Sequence, residues 1–118
     1  MSVSIFHNPR CSKSRAALSA LEERNIEAEV VRYLDAPPTE AELTDIVHKL
    51  GIETKALIRF GEGRAKELGI SRADDRADAE WIALMVENPI LIERPIVIRE
   101  DKAAIGRPLE QVLALFDE

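Results

Sequence analysis

Cysteine is nearly absent from this sequence: Cys11 is alone in 118 residues, and there are only two histidines, His7 and His48. One thiol cannot close an internal disulfide, so the fold does not rest on one, and a Cys-x-x-Cys redox pair is excluded. That usage suits a reducing compartment, and a cytoplasmic location is expected. With one cysteine and two histidines, and with His48 on the polar side of a distant helical stretch, no convincing set of zinc ligands exists, so no metal is expected. Long apolar runs are also missing. The longest, WIALMV at 81–86, is far too short to span a bilayer, and the opening MSVSIF lacks the basic and apolar regions of a signal peptide. Neither membrane insertion nor export is expected. Basic charge is in deficit, with 16 Lys and Arg against 22 Asp and Glu for a net charge of −6. General nucleic-acid binding is thereby disfavoured, because phosphate contacts need a local excess of cations, and any anion site must be local.

What remains is an ordinary globular composition, 46% hydrophobic and 32% charged, without repeats or biased segments. The length fits one domain over residues 1–118. VSIF (3–6) reads as a short buried strand ended by HNP, since proline pushes its predecessor into extended geometry and cannot donate to a ladder. From Ser12 to about Arg24, Ala17, Leu18, Ala20 and Leu21 make the apolar stripe of a helix. A second strand follows at about 28–33, so the opening is a βαβ unit with parallel strands. Thr39 with Glu42 is a capping box. Leu43, Ile46, Val47 and Leu50 continue at helical spacing to a stop at Gly51.

ETKALIRF and GRAKELGI read as short helices, and Asp78 as the cap of a helix carrying Trp81, so that a helical block at about 37–89 ends at Asn88-Pro89. Two strands around an Asp101-Lys102 turn and a last helix with Leu109, Val112, Leu113 and Phe116 on one face complete the chain. The order is βαβ, helical insertion, ββα: an α/β chain with a small mixed sheet and the layout of a thioredoxin-like fold.

Cys11 lies between the first strand and the first helix, in FHNPRCSKSR. A free thiol, with a pKa of about 8.5, is only about 3% thiolate at pH 7. A helix N-terminus and nearby cations lower that pKa, and Ser12, Lys13 and Ser14 are placed to turn their N–H groups toward the sulfur. His7, within reach across the turn, is expected to add a positive charge or a hydrogen bond. Most lone cysteines are inert packing elements. The strand-turn-helix placement argues for an activated thiol instead. Ala17 occupies the arginine position of a C-x5-R thiol phosphatase loop, which excludes that reading, and GEG at 61–63 is too short for a nucleotide loop.

HNPRCSKSR, YLDAPPT, ALIR, LIERPIVI and IGRP, in this order and spacing, resemble the glutaredoxin- and glutathione-dependent arsenate reductase family, a branch of the thioredoxin-like folds. The resemblance runs from about residue 3 to 116. It implies that Cys11 is the nucleophile of a C-x-x-S-R motif and that His7 helps keep it ionised. It further implies that Arg59, Arg94 and Arg107 hold the arsenate oxyanion, that Asn8 and Ser14 help place it, and that Arg94-Pro95 is the cis peptide bond beside the thiol. Three guanidinium forks suit a tetrahedral oxyanion. Arg10 and Arg15 are further cations near Cys11, either tuning it or simply exposed. No cofactor is expected to be bound, with glutathione as co-substrate and glutaredoxin as partner. The rivals are a redox or transcriptional regulator or adaptor of the same fold, and a general glutathione-dependent thiol oxidoreductase. Regulators that sense redox by a Cys-x-x-Cys pair are disfavoured, since Ser14 stands where the second cysteine would be.

Overall fold

A computed structural model describes residues 2–117, and the chain falls into two compact units. One comprises the segment up to Ala36 together with the segment from Arg94 onward, and the other is Pro37–Glu93.

The first unit is a mixed four-stranded sheet built from β1 (Val3–Phe6), β2 (Glu29–Val31), β3 (Ile96–Arg99) and β4 (Lys102–Ile105), in the order β2-β1-β3-β4. β1 runs parallel to β2, with Ser4 opposite Glu29, and antiparallel to β3, with Phe6 opposite Ile96. This is the thioredoxin-like arrangement. Alternation along the strands sends Val3, Ile5 and Val97 to one face, where helices α1 (Ser12–Glu23) and α5 (Leu109–Leu113) lay Ala17, Leu21 and Val112 against them. All six are buried and form the core beneath α1. On the other face Phe6 stacks on Tyr33, with centroids 5.9 Å apart.

In this unit three details differ from the sequence reading. β2 is three residues rather than the expected 28–33, because as an edge strand it pairs only with Ser4–Phe6. The hairpin turn is Glu100-Asp101, with Glu100 in the left-handed region at φ 56°, and not Asp101-Lys102. Register decides this: burying Val97 inward pairs Arg99 with Lys102 and leaves two residues for the loop. The last helix tightens after Leu113 into a 3-10 turn at Ala114–Phe116, so Leu115 rather than Leu113 packs on the core beside Leu109 and Phe116.

The second unit is helical: α2 (Glu40–Leu50), α3 (Gly63–Leu68) and α4 (Asp78–Glu87), with 3-10 turns at Thr54–Leu57 and Pro89–Leu91. The capping box forms, the Glu42 N–H donating to Thr39 Oγ1 at 3.1 Å and the Thr39 N–H to Glu42 Oε1 at 3.0 Å. Gly51 ends α2 in the left-handed conformation at φ 67°, which glycine adopts without a Cβ clash. Asp78 is the first residue of α4 rather than its cap, a position where its carboxylate still opposes the helix dipole. Pro89 opens a further turn instead of ending the helical block, since proline fits the first position of a helical turn. Trp81 is buried, edge-on to Phe60 at 5.7 Å. Ile58 leaves its 3-10 turn to bridge Ile92, which lays Arg59 beside the 91–93 segment. Among the described residues, no helix is long and apolar enough to cross a membrane.

Candidate active site

The end of β1 is tied down before the thiol is reached. The His7 N–H donates to the Val31 carbonyl at 2.8 Å, and the chain then turns through Asn8-Pro9-Arg10-Cys11, closed by the Cys11 N–H on the Asn8 carbonyl at 3.0 Å. Proline suits the second position of such a turn, and asparagine its first, where Asn8 Oδ1 accepts the Arg10 N–H at 3.0 Å. Asn8 therefore shapes the loop through both its carbonyl groups. Arg15 is exposed and braces the same turn by donating from Nη1 to the Pro9 carbonyl at 3.0 Å.

Cys11 stands at the N-cap of α1, in extended geometry and with its side chain making no capping bond. Its sulfur is thus left to face the unpaired N–H groups of the first helical turn. Burial leaves Cys11 9% exposed and pushes its pKa up. The backbone N–H of Ser14, the Arg94 guanidinium, the Lys13 N–H and Arg107 more than offset this, and the thiol ends below its ordinary value. Arg107 reaches it directly: Nη2 lies 3.6 Å from Cys11 Sγ, while Nε donates to the Arg94 carbonyl at 2.8 Å. The Arg94-Pro95 bond is cis as expected, and so is Arg107-Pro108, which no sequence signal announced. The first unit thereby gathers Cys11, Ser14, Arg94 and Arg107 around one sulfur.

Of the two contributions expected of His7, the structure shows a hydrogen bond. The residue is buried, and desolvation, followed by the fields of Arg32 and Arg15, lowers its pKa, so near pH 7 it is neutral and supplies no positive charge. Its Nδ1 shares a 2.7 Å hydrogen bond with Ser14 Oγ, which also accepts the Asn8 N–H at 3.0 Å. His7 thus holds Ser14, whose N–H is first among the groups favouring the thiolate. Ser14→Ala would strand two polar groups in a fully buried place, at a cost of about 1–3 kcal/mol. Denaturant unfolding should show that loss and alkylation of Cys11 at pH 7 should slow; if neither changed, the hydroxyl would hold nothing.

Arg59 belongs to the helical unit. There its Nη2 pairs with Glu62 Oε2 at 2.9 Å and its Nη1 donates to the Ile90 carbonyl at 3.2 Å. Glu62 sits within GEG at 61–63; the signal that reveals it is the Arg-x-x-Glu spacing, which closes an i,i+3 pair across a turn. Gly106 was also passed over, although it is buried between Pro95 and Val112. Among the described residues, no group of three or more His, Cys, Asp or Glu is placed to hold a metal ion.

A family model described as the ArsC family matches residues 6–115. The arsenate reductase of Neisseria meningitidis serogroup A is 52% identical over 115 residues, covering 97% of each chain. That of Haemophilus influenzae is 43% identical over 117 residues, covering 98% of this chain and all of the other. A solved structure of an arsenate reductase from Vibrio cholerae superposes with a TM-score of 0.88 at 45% identity, covering 97% of both chains.

Proposed function

The chain belongs to the ArsC family, and from that premise we propose that it is an arsenate reductase in which Cys11 is the nucleophile. The observation that carries this reading is the Arg107 guanidinium 3.6 Å from the Cys11 sulfur at a helix N-terminus. A thiolate and the anion it attacks repel each other unless fixed positive charge is shared between them, and Arg94 and Arg107 supply it. The thiolate attacks arsenic, an As–O bond breaks, and the oxygen leaves as water once protonated, giving a covalent S–As(V) adduct. A second thiol, that of glutathione, then forms the S–S bond with Cys11 as two electrons pass to arsenic and arsenite leaves. Enzyme thiol, glutathione and arsenic acid thus become mixed disulfide, arsenous acid and water. Glutaredoxin takes the glutathione by exchange and restores Cys11. Arg59, in the helical unit, is held by its pair with Glu62. The reliance on free thiols fits a cytoplasmic protein with no bound cofactor.

The test follows from counting thiols. With one cysteine, the chain cannot resolve its own intermediate. Protein mixed with arsenate and glutathione, without glutaredoxin, should gain a single glutathione by intact mass, located on Cys11 and removed by dithiothreitol. Added glutaredoxin should convert this into steady arsenite formation. Sustained turnover with no added thiol, or an adduct elsewhere than Cys11, would refute the scheme.

A further inference from the structure

The reading of Cys11 as nucleophile extends to a residue that touches neither the thiol nor the substrate. The β3–β4 register pairs Ile96 with Ile105, so the next pair outward is Pro95 with Gly106, joined by the Gly106 N–H on the Pro95 carbonyl at 2.9 Å. Beyond it Arg94 and Arg107 leave the hairpin side by side, linked by the Arg107 Nε bond to the Arg94 carbonyl. A Cβ added to Gly106 would stand 2.7 Å from Pro95 Cγ, 3.3 Å from Pro95 Cδ and 3.4 Å from Val112 Cγ2. Pro95 is buried, so its ring has no solvent to move into. The backbone at Gly106 is outside the left-handed region, so the close contact is what an alanine would meet there. Gly63, by contrast, has nothing within 4 Å of the same added atom.

We propose that Gly106 is a positioning residue: its missing side chain lets the end of β4 close against Pro95, and that approach sets where Arg107 meets the Cys11 sulfur. Reaching ordinary van der Waals contact takes the 2.7 Å separation to at least 3.4 Å, and the displaced segment leads straight into Arg107. The Arg107 contact with sulfur, already 3.6 Å, has little length to spare. Arg94 and Arg107 at the hairpin end are the charged side chains whose fields favour the Cys11 thiolate, while Arg10, Lys13 and Arg15 lie on the turn and first helical turn and His7 lies behind Ser14. Only the first two depend on the spacing of Pro95 and Gly106.

The test is the pH profile of Cys11 alkylation by iodoacetamide, with circular dichroism as the check on folding. Gly106→Ala should move the midpoint upward by about half a unit, so that the thiolate-to-thiol ratio at a given pH falls about threefold. Gly63→Ala should leave it in place. In a Pro95→Ala background, where the ring atoms are gone, Gly106→Ala should add no further shift; if the single variant does not fold, this pair carries the test. A wild-type profile in Gly106→Ala, or a full additional shift in the Pro95→Ala background, overturns the proposal. Alkylation uses neither arsenate nor glutathione, so the result stands apart from the assignment of substrate.

Discussion

Cys11→Ser should reduce arsenite formation to background, a fall on the order of 10⁴–10⁶, without loss of the fold. A serine hydroxyl in the same place stays protonated at neutral pH and cannot form the S–As bond, so every later step is lost with the first. The fold survives because the Cys11 side chain makes no capping bond, and serine is among the residues preferred at an N-cap. Unfolding free energy should stay within about 1 kcal/mol of the wild type. The two measurements are arsenite release with glutathione and glutaredoxin present, and a denaturant melt; catalytic turnover in the serine variant would remove Cys11 from the mechanism. In the wild type, the alkylation midpoint should fall below that of a free thiol, since the groups favouring the thiolate outweigh burial.

Arg107→Ala should cost on the order of 10²–10³ in kcat, the range found when one donor to a developing oxyanion is removed. Arg107 touches the sulfur with Nη2 and anchors itself on the Arg94 carbonyl with Nε, so one substitution removes both a cation from the anion site and a tie between the hairpin ends. It should also move the thiolate profile to higher pH, so part of the lost rate returns as pH is raised. Stability responds with a definite sign. A thiol whose pKa is lowered by folding adds stability that is fully present above its unfolded pKa and disappears as pH falls through its folded one. Arg107→Ala should therefore narrow the stability gap between alkaline and neutral conditions. Kinetics and an alkylation profile both equal to wild type would make Arg107 an ordinary surface charge.

Much of this site is local in origin, which is why it can be read from the sequence. Asn8-Pro9 specifies a turn, β1 supplies its fixed end, and the helix-forming run from Ser12 places Cys11 on a helix N-terminus without any distant contact. The capping box at Thr39 and Glu42 and the stop at Gly51 are equally local, since each is satisfied within a few residues. The family motifs added the cis bond at Arg94-Pro95 and the pairing of Arg94 and Arg107 with the thiol, which short-range rules do not contain.

Sequence by itself thus determined the thioredoxin-like order of elements, the placement of the single thiol, and the lack of a second cysteine to pair with it. The tertiary structure decided the charge state of His7, because desolvation and the fields of Arg32 and Arg15 depend on what surrounds the ring. It decided that Arg59 rests on Glu62 and the Ile90 carbonyl, a choice among partners that spacing can only offer. It put the hairpin turn at Glu100-Asp101 through the register that buries Val97, and Leu115 on the core through a tightening of the last helix. It also gave Gly106 its meaning, since a glycine that is needed for close approach looks in sequence like any other until the ring of Pro95 is found against it. Local structure follows from short-range sterics and hydrogen bonding along the chain; burial, field and contact distance are properties of neighbours brought in from far along it, and those exist only once the sheet has closed.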